Sequence, residues 1–194
     1  YITWGRLFGR SHGSAFAGSL NPDCDPAIEL RNAIEQSDIE AINALLKHSP
    51  EEQVTAKNNK GDTPLHYAIF WDHGHLGVIN ALLKHTPEKQ LMAKNVFGET
   101  PLHRAIGRST LDVIKAFLKH SPKEQVMAKS NSGYIPLHFA VWIDNIDLIR
   151  ALLEHRPEEQ VTAKNDKGET PLDLIDLTNN ESIIELLKSK MPQE

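Results

Sequence analysis

Residues 61–66 read Gly-Asp-Thr-Pro-Leu-His, and close copies of this stretch recur three times further along the chain. The copies open at glycines that are 37, 35 and 35 residues apart, namely Gly61, Gly98, Gly133 and Gly168. A second ladder with the same spacing consists of prolines that each open a Pro-x-x-Gln segment, namely Pro50, Pro87, Pro122 and Pro157. Two ladders with one period indicate a single structural unit that is repeated.

Apolar residues inside each unit have helical spacing. In the second unit, Leu65, Ala68 and Ile69 fall on one face of a short helix, and a second apolar stretch of helical period follows at residues 76–83. A single unit of this size cannot bury its apolar face alone. The sequence therefore predicts an all-α solenoid of stacked helix-turn-helix units.

Residues that precede a proline predict where helices begin. Thr63 and Thr100 suit an N-cap followed by proline at the first helical position, whereas Ile135 lacks the hydroxyl and predicts a cap weaker by about 1 kcal/mol. The segment at residues 49–52, Ser-Pro-Glu-Glu, and its counterparts predict an additional single-turn helix with a capping box. The counterpart at residues 86–89 lacks the acid, so we expect it to be the loosest copy.

These residues resemble ankyrin repeats, whose motif Gly-x-Thr-Pro-Leu-His is followed by an alanine-containing helix, a second helix that ends in Leu-Leu, and a hairpin-like finger loop. The resemblance covers about residues 25–190 and implies an ankyrin-repeat solenoid with finger loops. We expect five repeats, at residues 25–60, 61–97, 98–132, 133–167 and 168–190, followed by a tail at 191–194.

Residues 1–24 differ from the repeats because glycines and serines alternate with Trp4, Phe8 and Phe16. One interpretation is a flexible linker from a longer protein, which the start at Tyr1 also favours. The other is a segment whose aromatic side chains dock on the solenoid.

Composition excludes several function classes. A net charge of −5 and a pI near 6.1 lack the basic footprint of a nucleic-acid-binding protein. The longest nearly apolar run, residues 134–143, is about half the length that a membrane-spanning helix needs, so we expect no membrane insertion. The single cysteine, Cys24, is compatible with a reducing compartment, and we expect a cytoplasmic protein, or one in the host cytosol if it is a secreted effector.

Catalytic and metal-binding patterns are not found in the sequence. No nucleophile with a recognisable base, no phosphate-binding glycine loop and no cysteine-based zinc site is present, so we predict no enzyme activity, no cofactor and no metal. Seven of the ten histidines form two ladders in the repeats. The resemblance implies that His66, His103 and His138 of the first ladder are structural residues that tie neighbouring loops together by hydrogen bonds, beside the motif glycines.

The resemblance further implies that finger tips and first helices form a concave binding surface. Carried over by motif position, the candidate partner-binding residues are Phe70, Trp71, Val96, Phe97, Arg108, Tyr134, Trp142 and Ile143. In the alternative interpretation, Trp71 and Trp142 fold back to fill gaps beside the unusual Ile69 and Val141 of the first helices. A lysine ladder before the fingers, Lys57, Lys94, Lys129 and Lys164, is either a solvated edge or a device that steers an acidic partner.

We therefore expect a non-enzymatic, monomeric protein–protein interaction module that binds a protein or an extended peptide on its concave face. The alternative is a regulatory or targeting segment of a larger enzyme or of a secreted bacterial effector, which the near-identical repeats resemble. A third hypothesis is self-association through the aromatic face.

Overall fold

The computed structural model describes residues 26–71, 75–177 and 180–192, and the expectations for residues 1–24 lie outside these ranges. The described residues form thirteen α-helices and one 3-10 helix, with no strand among them. The α-helices are α1 Pro26–Glu35, α2 Ile39–Leu45, α3 Pro50–Thr55, α4 Pro64–Trp71, α5 Leu76–Leu83, α6 Pro87–Met92, α7 Pro101–Ala105, α8 Leu111–Leu118, α9 Pro122–Met127, α10 Pro136–Trp142, α11 Ile146–Leu153, α12 Pro157–Thr162 and α13 Glu181–Lys188. The 3-10 helix is Leu172–Leu177.

Equivalent helices stack on one another along the chain. The first row consists of α1, α4, α7, α10 and the 3-10 helix, the second of α2, α5, α8 and α11, and the third of α3, α6, α9 and α12. The prediction of an all-helical solenoid is confirmed. The third row is the additional single-turn helix that the Pro-x-x-Gln segments predicted.

The core lies between the rows, where the leucine of each Pro-Leu-His motif is fully buried. Ala68, Ala105 and Ala140 are also fully buried in the first helices, because a small side chain lets neighbouring helices approach closely. The first helices thus bury this leucine and alanine, to which α4 and α10 add Ile69 and Val141, and the second helices close over them with Ile79, Ile114 and their equivalents.

The predicted capping box of the single-turn helices is wrong. The residues before the four prolines, Ser49, Thr86, Ser121 and Arg156, adopt left-handed backbone angles, with φ between 41° and 48°, and none makes a side-chain cap hydrogen bond. A capping serine needs an extended backbone to reach the amides of the first turn, and a left-handed residue does not place its hydroxyl there.

The glutamine of each Pro-x-x-Gln segment makes the contacts that hold this helix in place. Gln90 is fully buried, and its Nε2 donates to the carbonyl oxygens of Leu82, at 2.7 Å, and His85. Gln125 and Gln160 make the equivalent pairs of bonds, and Gln53 does so in a half-buried position. The first of each pair of carbonyls, in Leu82, Phe117 and Leu152, also accepts a backbone N–H at the end of the second helix, so the glutamine adds a second hydrogen bond to it. The Thr86 copy has the same bonds as the others, so its missing acid does not set it apart.

The finger loops are joined to one another by backbone hydrogen bonds. The amides of Val96, Asn131 and Asp166 donate to the carbonyls of Lys60, Phe97 and Ser132 in the preceding fingers, at 3.0, 2.9 and 3.1 Å. The motif glycine stands at each junction with a positive φ, and in Gly133 a Cβ would lie 2.7 Å from the Asp166 amide nitrogen. Gly168 has the same backbone conformation but has nothing within 4 Å of a Cβ.

We predict that Gly133→Ala lowers the free energy of unfolding more than Gly168→Ala does. Both substitutions place alanine in a left-handed conformation, but only Gly133→Ala also forces a side chain into the next finger, which adds a cost of about 1–3 kcal/mol. Urea unfolding of the two variants measures the difference, and equal losses would show that the fingers do not pack as described.

The motif histidines tie each repeat to the next. His66 Nδ1 accepts a hydrogen bond from the Thr63 amide, at 3.3 Å, and its Nε2 donates to the carbonyl of Glu99 in the following finger, at 3.0 Å. His103 makes the same two contacts, with the Thr100 amide and the Tyr134 carbonyl. His138 makes them with the Ile135 amide and the Glu169 carbonyl. An Nδ1 that accepts from an amide carries no proton, so the imidazole is neutral. Ile135 retains the amide bond and loses only the hydroxyl contact that Thr63 and Thr100 make.

Burial favours this neutral form. It lowers the pKa of all three motif histidines, and that of His103 to about 4 from an ordinary value of 6.5. The carbonyl that accepts from Nε2 opposes this shift without cancelling it. A protonated His103 would have to break its bond with the Thr100 amide while remaining in an apolar environment.

We predict that the protein loses stability as the pH falls from about 6.5 towards 4. In this window the unfolded chain binds protons at the motif histidines that the folded chain does not bind, so the free energy of unfolding decreases with decreasing pH. Urea unfolding at several pH values checks this, and His103→Gln should flatten the slope by about one proton. A slope that His103→Gln leaves unchanged would contradict the assignment.

Candidate functional site

Two predicted groups of side chains, the finger tips and the ends of the first helices, project from one face of the stack, which we call the finger face. Val96 and Phe97 are exposed because Asn95 shapes the tip beneath them. Its Oδ1 accepts hydrogen bonds from the amides of Phe97, at 2.9 Å, and Glu99, at 3.0 Å. Asn165 forms the same turn in the last finger, and Ser130 replaces the asparagine in the finger between them.

The two tryptophans at the ends of the first helices do not fill gaps in the core. Trp71 is 54% exposed and Trp142 is 62% exposed, whereas Ile69 and Val141 are themselves fully buried. The interpretation in which the tryptophans fold back is therefore wrong. The larger aliphatic residues occupy the interhelical space, and this leaves the tryptophans on the surface.

A groove of about 610 Å³ lies between the last three fingers and helix α10. Its apolar lining consists of Val96, Phe97, Tyr134, Phe139, Trp142 and Leu174, and we call this set the finger groove. Of the predicted binding residues, the structure brings together Val96, Phe97, Tyr134 and Trp142 here. Glu99, Glu169 and Lys167 also line it. Its surface is thus mainly apolar, with charges of both signs.

Tyr134 and Phe139 within this groove pack against the histidines that join the repeats. Their rings contact each other at a centroid distance of 5.7 Å, Tyr134 meets His138 edge-on at 5.5 Å, and Phe139 meets His103 edge-on at 5.8 Å. Edge-to-face contacts of this kind stabilise aromatic pairs beyond their buried area. These two side chains are therefore held in place by the interactions that hold the repeats together.

Phe139 was missed by sequence reasoning. The signal was available, because Phe139 directly follows the motif histidine and lies three residues before Trp142, so helical spacing puts the two on one face. Tyr67 and Arg104 occupy the same motif position in the preceding repeats.

A second group of predicted residues lies beside the groove. Phe70 and Trp71 meet edge-on at 5.8 Å, and the guanidinium of Arg108 stands over the Phe70 ring, 5.1 Å from its centroid. The Tyr67 ring contacts Trp71 at 5.9 Å, and its hydroxyl donates to Glu35. Burial and this hydrogen bond raise the pKa of Tyr67 to about 12.

The two groups are joined by the turn that follows α7. Gly107 has a left-handed backbone, with φ of 83°, and a Cβ there would lie 3.7 Å from the side chain of Ile143. Its neighbour Arg108 stands over the Phe70 ring. Phe70, Trp71, Arg108, Trp142 and Ile143 therefore form a continuous surface, which we call the helix-end row.

The lysine ladder has a role that neither interpretation anticipated. Lys57 Nζ donates to the carbonyl of Lys94 at 2.9 Å, Lys94 Nζ to Lys129 at 2.7 Å, and Lys129 Nζ to Lys164 at 2.9 Å. Each ammonium group is exposed but reaches one repeat further along the stack. The ladder therefore supplements the histidine contacts between repeats.

Arg104 contributes to the charge balance of the finger face. Its guanidinium lies 3.4 Å from a Glu99 carboxylate oxygen, which also accepts from Asn95 Nδ2 at 3.3 Å.

Over residues 26–71, 75–177 and 180–192, no three histidine, cysteine or acidic side chains are close enough to hold a metal ion. Within the same described part of the chain, no helix is long and apolar enough to cross a membrane.

Comparison with known families agrees with this architecture. The family described as ankyrin repeats (3 copies) matches residues 20–94 and 74–165, about three quarters of the chain. The protein belongs to the ankyrin-repeat family. A comparison with curated proteins gave no match. Ankyrin repeats are generally protein–protein interaction modules, and the fold is typically non-catalytic.

We predict that Trp142→Ala changes the free energy of unfolding of this ankyrin-repeat protein by less than about 0.5 kcal/mol, because an exposed side chain contributes little to stability. Phe139→Ala should lower it by at least about 1 kcal/mol, because it removes ring contacts to His103 and Tyr134. Urea unfolding compares the two variants. A larger loss for Trp142→Ala would mean that the tryptophan is part of the core.

Proposed function

We propose that this ankyrin-repeat chain is a non-enzymatic interaction module that binds a protein or an extended peptide across its finger face. The observation that carries the proposal is the position of its exposed apolar residues. Eight large apolar side chains of the described residues are exposed, and six of them are Phe70, Trp71, Val96, Phe97, Trp142 and Ile143. A contiguous apolar patch on a soluble fold typically marks an interaction surface.

The residue types on this face support binding. Trp, Tyr and Arg are enriched among residues that dominate binding energy, and the finger face combines Trp71, Tyr134, Trp142 and Arg108. The finger groove, with a volume of about 610 Å³, has room for an apolar side chain of the partner, and its charged residues can pair with polar groups beside that side chain. As in most peptide recognition, the apolar contacts would supply affinity and the polar ones orientation.

Rigidity also favours this function. Backbone hydrogen bonds join the fingers, and histidine and lysine side chains join the repeats, so the face is ordered before a partner arrives. Binding to a preformed surface costs less conformational entropy than binding that must first order a loop. We propose that the binding unit is a monomer.

The test compares the wild-type chain with two double variants as baits in a pull-down. Phe97→Ala/Trp142→Ala removes side chains from the finger groove, and Ile28→Ala/Leu76→Ala removes two other exposed apolar side chains, which do not line it. We expect the groove variant to lose partners that the control variant retains, and purified partner to bind the groove variant at least tenfold more weakly.

Circular dichroism of all three baits establishes that each is folded, and light scattering at two concentrations checks the monomer. If both double variants retain the same partners with unchanged affinity, the finger face is not the binding site. A mass that rises with concentration would favour self-association.

A further inference from the structure

We infer that the helix-end row binds an extended peptide segment in which an acidic residue lies midway between two large apolar residues. This inference rests on the proposed function and specifies its ligand. The row has a cation at its centre and aromatic residues at both ends, because Arg108 lies between Phe70 and Trp71 on one side and Trp142 and Ile143 on the other.

Arg108 is the group that selects the acid. Its side chain is exposed, and no carboxylate among residues 26–71, 75–177 and 180–192 lies within ion-pair distance of it. The contact with the Phe70 ring restricts the position of the guanidinium and leaves its N–H groups available for hydrogen bonds. A carboxylate can accept two parallel hydrogen bonds from such a group.

The other charges near the row place the acid at the centre. Arg104, in the same repeat, is already paired with Glu99 at 3.4 Å. The ends of the row carry acids, since Glu35 accepts from the Tyr67 hydroxyl and Asp144 accepts from Asn180 Nδ2 at 3.0 Å. The charge of Arg31 also acts on Tyr67 and offsets that of Glu35 at this end, so an acidic residue of the partner would be attracted most strongly beside Arg108.

The stacking of the helices sets the spacing of the peptide. Helices α4, α7 and α10 are successive neighbours in the first row, and packed helices are about 8–10 Å apart. Trp71 and Trp142 are thus separated by about 16–20 Å, which an extended chain covers in about five or six residues. The ligand is a segment with large apolar residues at positions 1 and 6 or 7 and Asp or Glu at position 3 or 4.

The charge pattern favours a separate partner, rather than residues 1–24 of the same chain, as the segment that occupies the row. Residues 1–22 contain no Asp or Glu, and Arg6 and Arg10 lie among their aromatic residues Trp4, Phe8 and Phe16. On the row, an arginine of this segment would face Arg108. We therefore assign the row to a segment supplied in trans.

The test selects binders from a library of random 12-residue peptides displayed on phage. Three baits are used in parallel: the wild-type chain, Arg108→Glu, and Arg150→Glu as a matched control. Arg150 is equally an exposed arginine but lies on α11 in the second row. We expect the wild-type and Arg150→Glu baits to enrich the apolar-acid-apolar pattern, and Arg108→Glu to enrich Lys or Arg in place of the acid.

Individual peptides then quantify the pairing. Replacing the selected Asp by Asn should weaken binding to the wild-type chain about tenfold or more, and should leave binding to Arg108→Gln nearly unchanged, because the two partners act as a pair. Circular dichroism confirms that each bait is folded.

The outcomes separate this inference from the proposed function. The inference is wrong if the selected peptides need Phe97 and Trp142 but contain no acidic residue. It is also wrong if Arg108→Glu selects the same sequences as the wild-type chain. In both cases the proposed function as an interaction module remains valid. Selected peptides that match residues 1–24, or self-association that Arg108→Glu abolishes, name a different occupant and also overturn it. If no peptide is enriched, or if every enriched peptide also binds the Phe97→Ala/Trp142→Ala variant, both the inference and the proposal that peptides bind at this face are wrong.

Discussion

The hydrogen bond from a motif histidine to a carbonyl of the next repeat is the interaction on which the rest of this structure depends. His66, His103 and His138 each use one ring nitrogen to close their own turn and the other to reach the following finger. A repeat of this size cannot bury its apolar helices alone, so its stability comes from its neighbours. The histidine fixes the distance and angle at which the neighbour packs, and the buried leucines and alanines then fit together.

The sequence predicted the helices well because their signals are local. Proline at the first helical position, apolar residues at helical spacing and glycine at the finger turn all act within a few residues. The capping box failed for an instructive reason. Ser49 and Ser121 have the acid three residues on that a capping box requires, but their left-handed backbone turns the hydroxyl away from the helix. The glutamine that holds this helix was visible in all four copies, yet its acceptors lie eight residues upstream, in a different helix, and five residues upstream, just after that helix ends.

The exposed residues of the proposed binding face were predictable to the extent that motif position determines exposure. Phe97 and Trp142 stand where the ankyrin pattern leaves side chains outside the core, and both are exposed. The separation of the candidates into a finger groove and a helix-end row was not predictable, because it depends on contacts between residues about 35 positions apart. The lysine ladder is a similar case. Its spacing was evident, but only the stacked structure shows that each ammonium group reaches the next repeat.

The junctions between repeats share residues with the proposed binding surface, and this determines how a ligand there would act. Tyr134 and Phe139 line the groove and also pack on His138 and His103, which join consecutive repeats. A side chain that enters the groove would therefore rest on the junctions themselves and would bind only while those repeats are stacked. Because a ligand that binds only the folded state shifts the equilibrium towards it, occupancy of the groove stabilises the junctions between the third, fourth and fifth repeats more than those before them.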